Sequence, residues 1–396
     1  MNSIIKFCIV IVFISLLSGC GNKSPKITVN IPVTIDIYKK YPKKSFSIQD
    51  ISDIKYVALE TTDNVLLDEY VKTVYVSDER IITANPAKGD VFVFDGEGKI
   101  VSYFNHKGGG DKEYLFPGQI VYDENAKEIF VCDNNKRKFL VFTENGEYKR
   151  TLRHIANTEF TLYDFDDETL LAYDKYGTEN GSDKEYRTKP YLFLSKQDGS
   201  IVAELDRVLP VRYSEKLLFT VKDASGRELP AVKMTGFINN WHDGKDFIIA
   251  DLSSDTIFQL TQDKKLSPLV IRTPSIHDKN QKIFLTPVIK NDFFIFLTQT
   301  TIDFESDDEE YDKSLVYSFA DNEIYEASLH YSDLPGEIIF KDFEGVDTGK
   351  NMAVTMIDAY KILDYKKQGK LTGALKSLAE KLTEDNNPIV VIMKFK

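Results

Sequence analysis

From residue 80 to residue 152 the apolar positions come in short runs parted by polar turns, and the same arrangement occurs twice. The first copy runs from Arg80-Ile-Ile-Thr-Ala-Asn85 to Val93-Phe-Asp-Gly-Glu-Gly-Lys99. The second runs from Glu128-Ile-Phe-Val-Cys-Asp133 to Val141-Phe-Thr-Glu-Asn-Gly-Glu147. Phe94 and Phe142 are 48 residues apart, as are Gly98 and Gly146. A fixed period of this size, rich in β-branched and aromatic residues and closed by glycine turns, marks a blade-type β repeat. Within the second copy the pattern predicts four antiparallel strands, innermost to outermost: Gln119–Asp123 (A), Ile129–Cys132 (B), Phe139–Thr143 (C) and Tyr148–Leu152 (D).

The B-type run recurs at Thr169-Leu-Leu-Ala-Tyr173, Asp246-Phe-Ile-Ile-Ala250 and Asp292-Phe-Phe-Ile-Phe296. Weaker C-type runs begin at Ile257 and Val316. Five copies can be counted, and the two ends of the chain hold strands enough for a sixth. The expected fold is therefore all-β: a six-bladed propeller over residues 27–396. Antiparallel succession puts every B–C loop and every D-to-A connection on one face. The B–C loops Asn85–Asp90 and Asp133–Lys138 are short, but Asp174–Lys189 and Thr298–Lys313 are long and polar, so both inserts belong at that mouth of the channel.

The ends follow other periods. Ile27, Val29, Ile31, Val33, Ile35 and Ile37 alternate without a break, a half-buried strand that Pro32 confines to a sheet edge. Residues 38–47 read as a loop, and Ile51–Leu59 as a strand. Leu371, Leu375, Leu378 and Leu382 share one helical face, and Asn386-Asn387-Pro388 ends that short C-terminal helix. Ile389–Phe395 is a last strand. Propellers close their ring by pairing the two ends of the chain, and Ile27–Ile37 with Ile389–Phe395 is the expected pair.

Composition narrows the function. The 396 residues carry 50 Lys and Arg against 62 Asp and Glu, a net charge of −12. Nucleic-acid binding needs a basic face, so no nucleic-acid partner is expected. The cysteines are Cys8, Cys20 and Cys132, which leaves neither a disulfide framework nor a cysteine zinc site. His106, His154, His242, His277 and His330 fall at no metal-ligand spacing, and no metal is assigned.

The first residues are an address. Lys6 precedes the 11-residue apolar run Phe7–Leu17, too short to span a bilayer and the right length for a signal-peptide core. It ends in Leu17-Ser-Gly-Cys20, which resembles the lipobox of bacterial lipoproteins. The expected products are a signal peptide over residues 1–19, lipidation at Cys20, a tether over 20–26 and a mature charge of about −13. Gly21 where an inner-membrane retention signal would put Asp favours the outer membrane. The absence of acidic residues just after Cys20 favours a periplasm-facing anchor.

Together Tyr56-Val-Ala-Leu-Glu-Thr-Thr-Asp63, Val93-Phe-Asp-Gly-Glu-Gly-Lys99, Lys107-Gly-Gly-Gly-Asp-Lys-Glu-Tyr114, Asp255-Thr-Ile-Phe258 and Asp385-Asn-Asn-Pro388 resemble the six-bladed β-propeller lipoproteins of Bacteroidetes, with blades similar to NHL repeats. The resemblance covers about residues 50–396. It implies the fold and an envelope location and no reaction. Members of that family tend to read Gly-Arg-Gly-Pro-Gly-Glu-Tyr where this chain has Gly108-Gly-Gly-Asp-Lys-Glu-Tyr114.

No catalytic signature stands out. Gly108–Gly110 lacks the Gly-Lys-Ser/Thr ending of a phosphate loop and reads as a flexible turn between blades. No G-x-S-x-G elbow is present. The run Asp303–Asp312 holds seven acidic residues in ten, a candidate oxygen-rich Ca2+ site and more simply a solvated loop; no other cofactor is expected. Trp241-His242 reads as packing or surface at an A–B turn. The favoured function is a monomeric, lipid-anchored, non-enzymatic scaffold that binds a glycan, a peptide or an envelope protein. Its candidate contact residues are Glu113, Tyr114, Asp133, Arg137, Tyr186 and Arg187. The alternatives are a channel-centred lyase or hydrolase acting on glycan or peptide, and a subunit of an envelope assembly.

Overall fold

A computed structural model describes residues 32–154, 160–175, 187–213, 216–222, 225–234, 240–278, 283–301, 311–334, 336–338, 347–348 and 351–396. Six blades form a propeller ring. The first is Lys72–Val76, Arg80–Asn85, Asp90–Asp95 and Ile100–Asn105, strands A to D. The second is Gln119–Asp123, Glu128–Asp133, Lys138–Thr143 and Tyr148–Leu152, within a residue or so of the bounds expected from the pattern. The third is Phe160–Asp164, Thr169–Asp174, Tyr191–Ser195 and Ile201–Glu204. The fourth is Trp241–Asp243, Asp246–Ile249, Thr256–Leu260 and Leu266–Thr273. The fifth, with strands of eight residues, is Ile283–Lys290, Phe294–Thr301, Tyr311–Ser318 and Glu323–His330.

The B strands are buried on both faces, which is why they read as unbroken apolar runs: in Glu128–Asp133 all six residues are buried. The alternation of a strand sends neighbouring residues to different blade interfaces. Ile82 packs toward the second blade, with Ile120 and Ile129. Ile81 packs the other way, with Val57, Val354 and Val390. Each of the six interfaces between blades holds its own apolar cluster, so the core is a ring of layers.

The sixth blade joins the two ends of the chain. Ile389–Phe395 lies between Met352–Ile357 and Ser52–Ala58, antiparallel to both. This corrects the expected closing pair. Val33–Asp36 instead runs parallel to the outermost strand of the fourth blade. Lys43–Ser47, expected as loop, does the same on the fifth. The first segment of the fold thus wraps the outer rim of two blades before it closes the ring. Its residues 27–31 lie outside the described ones.

Residues 59–71 connect Ala58 to the first blade just as residues 106–118 connect the first blade to the second, thirteen residues each. Ser52–Ala58 is therefore the D strand of the sixth blade, Ile389–Phe395 its C strand and Met352–Ile357 its B strand. Asp347–Thr348, just ahead of that B strand in the chain, pairs in parallel with Tyr75 and Val76 and so adds to the sheet of the first blade. It also lies near Trp241–Asp243 of the fourth blade, opposite in the ring. Asp347–Thr348 thus lies between the inner strands of the first and fourth blades.

The helices Ala359–Lys367 and Gly373–Ala379 form the B–C insert of the sixth blade. The first was not anticipated, and the second is shorter than the leucine spacing implied. Leu371, Leu375, Ala359 and Ile362 pack together over Ile389. Trp241 lies in the inner strand of its blade, not at the A–B turn, and packs against the cluster of Val33, Ile248 and Val270.

A latch found at three interfaces joins a D strand to the C–D hairpin of the next blade. Lys55 Nζ donates to the Gly96 carbonyl at 2.9 Å. Ser102 Oγ donates to that of Glu144. Arg150 donates to that of Lys196 through Nε at 3.0 Å and Nη2 at 2.7 Å. Ion pairs line the same face, where A–B and C–D turns lie. Arg80 holds Glu144 at 2.9 Å, and Lys196 is clasped between Asp123 and Asp164 at 2.5 Å each.

Burial pushes the Asp164 carboxyl up to about 6, against the pull of the Lys196 ammonium. A carboxylic acid whose folded value lies above its unfolded one binds its proton more tightly in the native state. Its stabilisation is present below the unfolded value, about 4, and is lost as pH rises through about 6. Asp164→Asn removes that loss. Between pH 4 and pH 7 the variant should gain roughly 1–3 kcal/mol relative to the parent, read from thermal midpoints at each pH. A difference that stays flat with pH would rule out Asp164 as the titrating group.

Candidate functional site

The face carrying B–C loops and D-to-A connections is the elaborated one. It holds the two helices, the anchor points of both long inserts, and a hairpin of Lys216–Lys222 with Glu228–Met234 between the third and fourth blades. Of the inserts, residues 176–186 and 302–310 lie outside the described ones. Tyr186 and nearly all of the candidate Ca2+ run Asp303–Asp312 fall there. Among the described residues no three His, Cys, Asp or Glu side chains are grouped to hold a metal ion.

The B strands of the first four blades lead into their B–C turns through a buried Asn or Asp: Asn85, Asp133, Asp174 and Asp251. Short polar side chains suit this place because they accept backbone N–H bonds from the turn that follows. Asp133 shows the pattern. Its Oδ1 accepts from the amides of Asn135 at 3.0 Å and Lys136 at 3.1 Å, and its Oδ2 from the Leu115 amide at 2.6 Å. Both oxygens serve the fold, and the side chain is fully buried.

Tyr114 is likewise fully buried. Its hydroxyl donates to the Gly89 carbonyl at 2.7 Å and accepts from the His106 amide at 3.0 Å. Burial pushes this phenol up to about 12. As contact groups both Asp133 and Tyr114 are corrected: they position the loops and do not face solvent.

Glu113 folds back on the triple glycine. Its Oε2 accepts the Gly110 amide at 2.6 Å, and a β-carbon at Gly108 would come within 2.1 Å of that oxygen. Lys136 closes the same loop from the other side. Its ammonium donates to the carbonyls of Gly108, Gly110 and Glu113 at 2.8, 2.9 and 3.0 Å. The turn expected to be flexible is therefore tied at both ends.

Arg187 pairs with Glu204 at 2.8 Å at the foot of the third-blade insert. Arg137 stands exposed on the second-blade turn with φ of +52°.

Between the second and third blades this face opens into a cavity of about 520 Å3. Phe116 and Gly118 of the connection, Gln119 and Thr161 at the starts of two inner strands, Asn134 and Asn135 of the B–C turn, Phe160 and Lys175 line it. Gln119 staples the two inner strands: its amide accepts from Leu162 N at 2.6 Å and donates to Leu162 O at 2.5 Å. Phe116 is 42% exposed. None of the six residues singled out from sequence lines the cavity, though Glu113, Tyr114, Asp133 and Arg137 lie on the two segments that do. The lining offers apolar ring faces, amides, a hydroxyl and one amine, and no carboxylate or imidazole. Such a set binds by hydrogen bonds and stacking.

Comparison with known proteins fixes the lineage. No curated protein matches the chain. A candidate exported protein of Bacteroides fragilis NCTC 9343 superposes with a TM-score of 0.61 at 14% identity, covering 89% of this chain and 99% of that one. A member of the DUF4221 family from Bacteroides vulgatus ATCC 8482 gives 0.51 at 10% identity, covering 88% and 99%. At these identities the likeness shows the fold alone. Over residues 32–394 the sequence matches a family model, and the chain belongs to that family, described as a domain of unknown function, DUF4934.

Proposed function

We propose that this protein is a lipid-anchored binding propeller of the cell envelope, seating a polyhydroxylated ligand in the cavity between its second and third blades. The lining of that cavity carries the reading: exposed Phe116 gives a sugar ring an apolar wall, and Asn134, Asn135 and Thr161 give its hydroxyls partners. A channel-centred lyase or hydrolase needs an open axis with clustered acids or imidazoles. Here Asp347–Thr348 occupies space between the inner strands of the first and fourth blades, and the cavity lining has no carboxylate or imidazole, which favours binding over catalysis.

The anchor reading rests on Leu17-Ser-Gly-Cys20, and the exported-protein neighbour agrees with it. Eleven residues separate Cys20 from Pro32, a reach of about 40 Å at full extension. Val33–Asp36 runs parallel to the outer strand of the fourth blade, so the chain enters from the side of the C–D turns. A lipid on Cys20 would then turn the cavity away from the membrane, toward the periplasm in the orientation read from residues 21–24. The blades are read as NHL-like and the protein as a monomer.

The test is calorimetric titration of the full chain, in detergent, with cello-, xylo-, galacto- and galacturono-hexaose. At least one should bind with a dissociation constant below about 1 mM, and Phe116→Ala and Asn135→Ala should each weaken it about tenfold. Silence across the four sugars, or binding indifferent to both substitutions, overturns the reading.

A further inference from the structure

The same connection and turn occur in the first two blades, so the two can be compared position by position. Residues 59–71 correspond to 106–118, and Asn85–Asp90 to Asp133–Lys138. In the first blade these segments place Asp68 and Glu69 beside Lys88, Gly89 and Asp90. Lys88 is neutralised there by Asp68 at 2.8 Å.

In the second blade the corresponding residues are Leu115 and Phe116 beside Lys136, Arg137 and Lys138. Two acids have given way to apolar residues, and Phe116 has become a wall of the cavity. A glycine and an acid have become cations. One scaffold thus carries a net charge of −2 at these five positions in the first blade and +3 in the second.

That charge is only partly cancelled. The nearest acid of the turn, Asp133, is buried with both oxygens taken by backbone amides. Lys136 is held by three carbonyls, which bind the ammonium without cancelling its charge. Lys138 has one partner, Asp111, at 3.3 Å.

Arg137 makes no side-chain hydrogen bond or ion pair among the described residues. It occupies the place where the first blade has Gly89 at φ +88°, and it holds a left-handed backbone itself, φ +52°. A side chain there is strained where glycine would not be. The other described non-glycine residues with positive φ are Lys127, Lys264, Asn322 and Asn351. All lie in A–B or C–D turns on the opposite face. Lys175 adds an ammonium to the cavity wall itself. All this sits on a chain of net charge −12.

We infer that the cavity between the second and third blades takes an anionic saccharide, one bearing carboxylate or sulfate groups, with Lys175 in its wall and Arg137, outside the lining but two residues along the turn from Asn135, as its counter-charges. The inference rests on the binding reading above and names its ligand class. Arg137 presents a planar fork that matches a carboxylate or sulfate in two hydrogen bonds. A cationic rim on an anionic body also gathers anionic chains and turns neutral ones away by no more than lost attraction.

The test compares ligands that differ in charge alone: galacturono-hexaose against its full methyl ester, and dextran sulfate against dextran, each titrated into the full chain in detergent. The free acid or the sulfate should bind at least about tenfold tighter than its neutral twin, and weaken as salt rises from about 50 to about 500 mM. Arg137→Gly, which relieves the backbone and leaves the fold intact, should bring charged and neutral twins close together. Preference for uronate over sulfate, or the reverse, assigns the group. Equal binding of both twins, abolished by Phe116→Ala, overturns the charge inference and keeps the cavity reading. Binding of neither twin in both pairs, or binding untouched by Phe116→Ala and Arg137→Gly alike, overturns both.

Discussion

Replacing Arg212 with alanine lowers stability by about 3–5 kcal/mol, and the thermal midpoint by roughly 4–6 °C. The guanidinium is 1% exposed, in the connection between the third and fourth blades. Its Nη2 donates to the Asp174 carbonyl, and its Nη1 to the Arg187 carbonyl at 3.3 Å. Those two residues flank the third-blade insert, so one side chain fastens both of its feet. The guanidinium also sits 5.2 Å from the centre of the Tyr173 ring. The Tyr173 hydroxyl donates to Asp251 Oδ2 at 2.8 Å, across the blade interface. Alanine would leave two carbonyls and nearby carboxylates buried without their cation, and such orphaned groups cost more than the intact pair contributes. Arg212→Lys should recover little, because a single ammonium lacks the fork that spans both carbonyls. Arg137→Gly, on the surface, serves as the control. A melt of Arg212→Ala within about 1 °C of the parent would show that water or neighbouring groups take over, and would remove this residue from the account of the insert.

The repeat was legible because burial on both faces of a B strand leaves a run such as Ile129-Phe-Val-Cys132 with one reading. Tight Gly turns gave the period. The rim was not legible for the opposite reason. A fifth, parallel strand needs only backbone partners and one buried side chain: in Lys43–Ser47 that is Phe46, and the other four residues are ordinary surface. The closing strand was misassigned because alternation at Ile27–Ile37 is equally good for any half-buried edge. The better signal lay in length. Thirteen residues separate Ala58 from Lys72, as they do Asn105 from Gln119, and that equality marks Ser52–Ala58 as a D strand. The cavity escaped because its walls come from two blades and three loops that meet only in the folded ring. The exchange of Asp68-Glu69 for Leu115-Phe116 between aligned repeats was the one trace of it in the sequence. Residues chosen for chemical appeal, Asp133 and Tyr114, proved to be what shapes the loops around it.

A chain ending at Pro388 should fail to fold. Ile389–Phe395 is the middle strand of the closing blade, and its partners come from opposite ends of the sequence, Met352–Ile357 and Ser52–Ala58. Ile389, Val390, Val391 and Met393 are wholly buried, Ile392 and Phe395 nearly so. Removing six such side chains forfeits roughly 9–18 kcal/mol of apolar burial at about 1.5–3 kcal/mol each. Domains have about 5–15 kcal/mol to lose. The loss also falls at the single point where the ring is joined, so the apolar layers of the fifth and first blades lose their cover together. Deleting residues 32–36 is the contrasting experiment. That edge strand buries only Val33 and Ile35 on the rim of the fourth blade, and the ring closes without it. The expected results are an insoluble or non-cooperative chain from the first deletion and a cooperative melt at a lower midpoint from the second. Met393→Ala should lie between, at about 2–5 kcal/mol. A cooperative melt near the parent midpoint from the chain ending at Pro388 would mean that the ring is closed elsewhere, and the reverse ranking of the two deletions would return the closing role to the Val33–Asp36 strand.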